Sequence, residues 1–515
     1  MKKQKIIFCV AAIVVAWIMA ASCFIIPSNF PINGDGAWKR LLFIAEMPRE
    51  NGSDRIRVIE NYIKDELEVA GIKVEIIEFE TQSAGGETVT VRNIAAEIPG
   101  RDASPILFMA HYDSGVGTAG AGDNGMSVAS LLEAATSIAG GENEQSVKLL
   151  FTDAEELGLL GARCMIGHPF LQGITHVFNL EGMGNGPFMP IEDTGLSNFY
   201  LKNAKSKVGF SAIAAFGGYA MKNRFDTQPF RDNGYKVMTL ATVFGQMEYH
   251  TPDDDLEHAD KKSLEHTLNT IYSLLNAATD STSDTLLKGD ANKNFFMLVY
   301  GVIVNIPWQI FLFLLFATLS ILVFMRKGEM RLTLKATGIL IALTISSWIL
   351  FMALFRLVSF LTWNRLIQIG FDNRKAAVLI FVIDAICLVA VISVLKGFVH
   401  RLGSEAMING LILFFTIVAL VVAIFLPEML YLFAISQMIL LLIAIFHDSH
   451  PISVPIYIFV ISILFAPLLI LLFSALKGAP PTIIIITTFT IMTIVPLYKK
   501  QDKETIGKIE KIIKS

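Results

Sequence analysis

The stretch PILFMAHYD (105–113), then the Gly-rich GTAGAGDNG (117–125) and VKLLFTDAEE (147–156), decides the fold. Two apolar runs of strand length each end in polar, ionisable residues. Between them the Gly-rich turn opens a helical pattern at about 125–139. Short, nearly continuous apolar runs separated by a helix are the pattern of strands buried on both faces of a parallel sheet. Working outward, VEIIEFE (74–80) and TVTVRNIAAEI (88–98) read as earlier strands, and THVFNLEG (175–182) and KVMTLATVF (236–244) as later ones. Helical patterns fall at 37–48, 53–70 and 261–279, the second closed by Gly71. The expected fold is α/β, a mixed and largely parallel central sheet flanked by helices, with antiparallel pairing at its β-rich start.

Open α/β sheets bind ligands beyond the carboxyl ends of their strands, and metal-ligand residue types gather there. His111 and Asp113 end one strand, Asp123 sits in the Gly-rich turn, and Glu155 and Glu156 end the next strand. Glu181 ends the one after, and His250 lies in EYHTPDD (248–254) beyond the last. Two His and three carboxylates exceed one tetrahedral zinc and suit two metals, each with a His, a terminal carboxylate and a shared bridge. Glu155 and Glu156 can serve different purposes only if the strand has ended in a turn before them.

Composition divides the chain. Residues 295–498 carry 17 of the 88 charged side chains, against 62 in residues 1–294, so a soluble domain is expected beside a membrane domain. Residues 28–294 carry 22 basic and 37 acidic residues, an acidic balance that argues against nucleic acid. The expected divisions are an N-terminal transmembrane anchor at 1–27, the soluble domain at 28–294, about seven membrane helices at 295–498 and a basic tail at 499–515. The seven spans are read at 298–324, 333–358, 376–395, 406–425, 428–446, 452–474 and 480–497. Fifteen Lys and Arg lie on the N-terminal side of the membrane and four in the short loops opposite. By the positive-inside rule both termini are then cytoplasmic, in a multi-pass protein of the plasma membrane if bacterial, with the soluble domain outside the cytoplasm. Asp384 is the one acid deep within an apolar run, a candidate relay or transport residue. Only Cys164 of the four cysteines falls in the soluble domain, so no internal disulfide is expected there.

The blocks AHYDS (110–114), GAGDNG (120–125), FTDAEELGLLGA (151–162), NLEG (179–182) and EYHTPDD (248–254) resemble metallopeptidase family 28, the co-catalytic zinc aminopeptidases and their relatives. The flanking membrane segments resemble its membrane-bound branch, the endoplasmic reticulum metallopeptidases and vacuolar membrane proteases. The resemblance implies two Zn2+ ions, one held by His111 and Glu181, the other by Glu156 and His250, with Asp123 bridging. Glu155 would be the general base, Asp113 would orient His111, and Tyr249 would polarise the substrate carbonyl or its oxyanion. In RFDTQPFRDNGY (224–235), Asp226, Phe230 and Gly234 look like the family's substrate-pocket segment. Two departures stand out: Glu181 where many secreted aminopeptidases have Asp, and Gly122 where an acid is frequent, which removes one supporting contact. His168, His176 and His258 lie off the motifs and are read as structural or surface residues. The acids Asp253 to Asp255 are read as capping the turn and the following helix.

The expected function is a membrane-anchored zinc exopeptidase, an aminopeptidase acting on peptides outside the cytoplasm. Three alternatives remain at this stage: a single-zinc glutaminyl-cyclase-like enzyme, a catalytically silent binding domain, and a transporter with an accessory soluble domain. Oligomeric state is not legible.

Overall fold

A computed structural model of the chain describes residues 2–26, 30–220, 225–244, 249–280, 293–299, 302–325, 330–361, 390–446 apart from 392 and 396, 456, and 459–467. Asp384, the tail at 499–515 and the expected span at 480–497 lie outside these residues, and the spans at 376–395 and 452–474 largely so. The chain forms two compact units, Cys23–Asn305 and Met1–Ser22 with Ile306–Ser515.

In the first unit the strands β1 (Lys73–Gln82), β2 (Thr88–Ile98), β3 (Asp102–His111), β4 (Gln145–Thr152), β5 (His176–Gly182), β6 (Asn185–Asp193) and β7 (Lys236–Phe244) form one sheet. Their order is β1-β2-β4-β3-β5-β7-β6. The central strands β4, β3, β5 and β7 run parallel, while β1, β2 and β6 pair antiparallel at the two sides. The sheet is therefore mixed, with its parallel part where the apolar runs predict it. Successive residues of β3 face opposite sides: Phe108 and Ala110 pack in one core, Leu107 and Met109 in the other, as the two-residue period of a strand requires.

Helices cover both faces. The larger core lies under α2 (Asp35–Ile44), α3 (Asp54–Val69), α4 (Met126–Ile138) and α9 (Lys261–Asp280), where Leu41, Ile59, Leu131, Leu132 and Leu268 are buried. Ser53 caps α3, its Oγ accepting from the Ile56 amide at 3.2 Å. α2 stops at Ile44, four residues before the expected end. Pro48 has no amide to donate, and the Arg49 amide donates to Ser114 Oγ instead.

β6 escapes sequence reading because Gly186, Pro187 and Pro190 interrupt its pattern. It survives as an edge strand, paired only with β7, which is where proline is tolerated in a sheet. The short helices α5 (Leu160–Met165), α6 (Ser197–Asn203), α7 (Ser211–Ala220) and α8 (Thr227–Asp232) carry too few turns to show a period.

One membrane boundary is corrected. The expected span at 298–324 begins instead with a two-stranded hairpin, β8 (Lys293–Val299) and β9 (Val302–Pro307), and its helix starts at Trp308. Phe295 of β8 is fully buried, and its amide donates to Ser211 Oγ at 3.2 Å. At the other end, the N-terminal helix α1 (Lys2–Ser22) stops before residue 27, and Phe24 packs edge-on against Phe244.

The second unit is helical among its described residues, with helices Trp308–Met325, Met330–Leu361, Ser404–Phe425 and Leu430–Phe446. Polar side chains tie them together. Thr337 Oγ1 donates to the Gly410 carbonyl at 3.1 Å, and Gln437 Nε2 donates to Thr416 Oγ1 at 2.7 Å. Among the described residues one helix, Glu405–Phe425, is long and apolar enough to cross a membrane.

A buried histidine makes the first unit sensitive to acid. His266 on α9 is fully buried, and its Nδ1 accepts from the Phe188 amide at 3.0 Å. Burial lowers its pKa from 6.5 to about 4. The unfolded chain therefore binds the extra proton first, and stability is lost as pH falls from 6.5 towards 4. At 1.36 kcal/mol per unit, this histidine costs on the order of 3 kcal/mol at pH 4. His266→Gln should shrink the acid-induced loss of stability of the full chain by that amount, read from unfolding at pH 7 and pH 4.

Candidate metal centre

Every residue expected at the site from the strand ends is brought to one edge of the sheet. His111 is the last residue of β3, and Glu181 is the last but one of β5. His111 Nε2 lies 2.9 Å from Glu181 Oε1 and 3.1 Å from Asp123 Oδ1. The other Asp123 oxygen, Oδ2, lies 3.1 Å from His250 Nε2, which is also 3.2 Å from Glu156 Oε2. Two groups of possible metal ligands result, His111–Asp123–Glu181 and Asp123–Glu156–His250, and Asp123 belongs to both. The donors fit metal ions: each group offers one imidazole nitrogen and two carboxylate oxygens, and the buried Glu156 Oε1 has no hydrogen-bond partner.

The surroundings hold these side chains in place. Asp113 Oδ1 lies 3.4 Å from His111 Nδ1, as a group orienting a ligating histidine should. The same carboxylate has a second task that the sequence did not reveal. Its two oxygens accept from the backbone amides of Glu155 and Glu156, both at 3.2 Å. β4 has ended at Thr152, and Ala154 adopts φ +55°, so the chain turns before the paired glutamates. That meets the condition for the two carboxylates to point to different duties. On β5, Asn179 Nδ2 donates to Glu181 Oε2 at 3.0 Å, leaving Oε1 to face His111.

The Asp123 turn is held by a residue remote in sequence. Asp254 Oδ1 accepts from the Gly122 amide at 2.6 Å, and Oδ2 from the Asp123 amide at 3.0 Å. Of the three acids expected to cap, Asp255 does so, accepting from the amides of Glu257 and His258. Asp260 caps α9 through the Ser263 amide. Asp254 instead braces the loop that carries Asp123. Asn124 Nδ2 closes the arrangement, donating to the Leu180 carbonyl at 2.7 Å.

The glycine at 122 has a structural cause. A Cβ there would meet Gly184 Cα at 2.9 Å and Asp254 Oδ1 at 3.0 Å, so the position is filled by packing and a carboxylate reaches it from Asp254. Gly182, next to Glu181, is tighter still: a Cβ would lie 1.7 Å from the Gly122 carbonyl oxygen. Backbone stands on both sides and cannot yield. Gly182→Ala should therefore abolish the cooperative thermal transition of the first unit.

Tyr249 stacks on the His250 ring, centroids 3.9 Å apart and planes 19° from parallel. His250 itself sits at φ +58°, a left-handed conformation uncommon for a side-chain-bearing residue and often met at functional sites. Asp226 is fully buried and accepts from Thr152 Oγ1 at 2.5 Å. Phe230 departs from the expected pocket segment. It is fully buried in the smaller core and packs edge-on against Tyr235, so it is a core residue. Gly234 follows α8 at φ +86° in a turn. His168, His176 and His258 stand outside both ligand groups.

The charges shift each other. Burial raises the Glu155 carboxyl well above its ordinary value; His111 pulls it down, while Glu181, Asp226 and Glu156 push it up further. Burial also raises Glu156, Asp226 to about 7 and Asp254 to about 6. Burial alone would lower His250, but its bonds to Asp123 and Glu156 bring it up to about 10. Burial opposes and the two histidines favour the charged form of Asp123, which ends below its usual range. Burial, together with these acids, holds the Tyr249 hydroxyl well above 10. Perturbed groups gathered in this way cluster at functional sites.

Residues 93–275 match the family model described as peptidase family M28. These residues form a peptidase family M28 domain. Over 372 residues the chain is 29% identical to a vacuolar membrane protease of Schizosaccharomyces japonicus, covering 67% of this chain and 43% of that protein. A vacuolar membrane protease of Candida dubliniensis is 31% identical over 185 residues, 34% of this chain and 20% of that one. The chain thus spans less than half the length of either relative. Among solved structures, a zinc aminopeptidase from Bacillus subtilis aligns with TM-score 0.41 at 16% identity, over 51% of this chain and 98% of that one. A glutaminyl cyclase from Porphyromonas gingivalis aligns with TM-score 0.40 at 19% identity, over 48% and 99%. The M28 match starts within β2 and ends within α9, and it contains every site residue named above.

Proposed function

We propose that this protein is a membrane-anchored exopeptidase that uses two zinc ions and trims peptides from a free amino end outside the cytoplasm. The observation that carries this reading is Asp123, whose two oxygens each face a different histidine. One carboxylate shared between two His-containing ligand groups is the arrangement of a bridged pair of metals. His111 and Glu181 would hold one ion, Glu156 and His250 the other. Bound zinc supplies Lewis acidity and a water of lowered pKa.

The chain's own residues do the rest. Glu155, with its raised proton affinity and its backbone fixed by Asp113, accepts a proton from the attacking water and returns it to the leaving amine. The Tyr249 hydroxyl, kept protonated by burial, donates a hydrogen bond to the developing oxyanion. Asp113 holds His111 and the Glu155–Glu156 backbone in one frame. The helix at 2–22 and the helices from 308 onward anchor the enzyme in the bilayer as a multi-pass protein with both termini cytoplasmic. The relatives named as membrane proteases support the membrane location. Its partners are peptide substrates and lipid, without nucleic acid.

The test is mass spectrometry of a mixed pool of free and N-acetylated peptides incubated with the purified, zinc-loaded full chain. Stepwise loss from free amino ends alone is the expected result, with two zinc ions per chain by elemental analysis. Trimming of blocked and free peptides from the carboxyl end would overturn the aminopeptidase assignment. One zinc per chain, with ammonia lost from N-terminal glutamine and no cleavage, would replace the peptidase by a cyclase.

A further inference from the structure

Three consecutive residues outside the M28 match reach the strand ends and the loop on which the centre depends. Arg49, Glu50 and Asn51 lie between α2 and α3. Arg49 is fully buried, and among the described residues its guanidinium donates only to backbone carbonyls: Nε to Tyr112 at 2.8 Å, Nη2 to Gly120 at 2.9 Å, and Nη1 to Ala119. Its own amide donates to Ser114 Oγ at 3.0 Å, and its carbonyl accepts from the Ser114 amide at 3.3 Å. Glu50 Oε1 accepts from the Gly117 amide at 2.7 Å. Asn51 Nδ2 donates to Asp153 Oδ2 at 2.8 Å and to the Thr90 carbonyl at 3.0 Å.

The positions contacted are telling. Tyr112 separates His111 from Asp113, Gly120 begins the turn that presents Asp123, and Asp153 precedes the turn to Glu155 and Glu156. Among the described residues no carboxylate lies within ion-pair distance of the Arg49 guanidinium. Burying a charge in this way is costly, and its return is geometric: a rigid, planar fork spans two chain segments at once.

We infer that Arg49–Asn51 is a positioning clamp for the metal centre, with Arg49 setting the separation between the His111–Asp113 strand end and the Asp123 turn. The inference rests on the two-metal reading above. It extends the working unit of the enzyme beyond the matched domain, to a segment whose hydrogen bonds reach the loops carrying the candidate ligands rather than the ligand side chains.

The test compares the full-length wild type with Arg49→Lys and Asn51→Ala. Lysine keeps the charge but cannot bridge Tyr112 and Gly120 as a planar fork. Arg49→Lys should weaken zinc binding by about tenfold or more, the scale seen when residues supporting metal ligands are lost. At saturating zinc, kcat should fall with KM held. Amide exchange over 112–121, measured without zinc, should quicken while that of α9 stays unchanged. Asn51→Ala, losing the hydrogen bonds to Asp153 and the Thr90 carbonyl, should move zinc affinity the same way by about threefold. A folded Arg49→Lys with wild-type zinc affinity and wild-type exchange over 112–121 overturns the clamp. If Arg49→Lys does not fold, Asn51→Ala decides: wild-type affinity and exchange in that variant overturn it. A wild type that binds no zinc sinks the metal reading instead, and the exchange comparison still judges the clamp.

Discussion

Glu155→Gln should leave zinc content and thermal stability at wild-type levels and cut peptide turnover by about two to four orders of magnitude. Glutamine keeps the shape and the backbone bond to Asp113 Oδ1, so the frame of the site is preserved. What it removes is the proton acceptor of the proposed mechanism. The surrounding acids matter here. Glu181, Asp226 and Glu156 raise the proton affinity of Glu155, and a neutral amide in its place relieves that repulsion rather than adding strain. Steady-state kinetics on a chromogenic amino-acid amide, with elemental analysis of the same sample, provide the check. Wild-type turnover in the zinc-loaded variant would remove Glu155 from the mechanism.

Asp123→Ala should take both zinc ions out together, whereas His111→Ala should release one and leave the other. The difference follows from position. Asp123 presents Oδ1 to His111 and Oδ2 to His250, so deleting it opens both ligand groups at once. His111 meets only the group with Glu181. The turn itself should survive, because Asp254 holds it through the backbone amides of residues 122 and 123 rather than through the Asp123 side chain. Activity should fall to background in Asp123→Ala. Zinc stoichiometry across the two variants distinguishes a bridged pair from two independent ions: retention of one ion in Asp123→Ala would show that they do not share a ligand.

Much of this candidate centre is legible along the chain because the possible ligands stand at or just beyond strand ends. A parallel strand buried on both faces is apolar along most of its length, so an ionisable residue closing an apolar run marks the sheet edge. His111 after LFMA and Glu181 after VFNL are instances. Periodicity likewise locates α4 and α9, long helices with one face in the core. It fails for β6, whose prolines resemble a loop until β7 is seen beside it, and for the hairpin at 293–307, whose apolar residues read as the start of a membrane span. Phe230 shows a different limit. A phenylalanine in a motif segment can line a pocket or fill a core, and only the packing around it tells which.

Arg49 and Asp254, whose roles at the site were not legible, act on backbone atoms remote in sequence. Arg49 is 63 residues from Tyr112, and Asp254 is 131 from Asp123. Nothing in the local pattern of MPREN or TPDDD announces a partner, because the carbonyls and amides they bind are present in every residue. The sequence by itself determined the α/β class, the apolar strands of the parallel core and the gathering of metal-ligand residue types beyond their ends, through the demands of burial on apolar runs. Tertiary structure alone decided that one aspartate faces two histidines, that Gly122 leaves room for Asp254, and that a buried arginine spans two loops. Those are matters of distance between segments, which chain order does not encode.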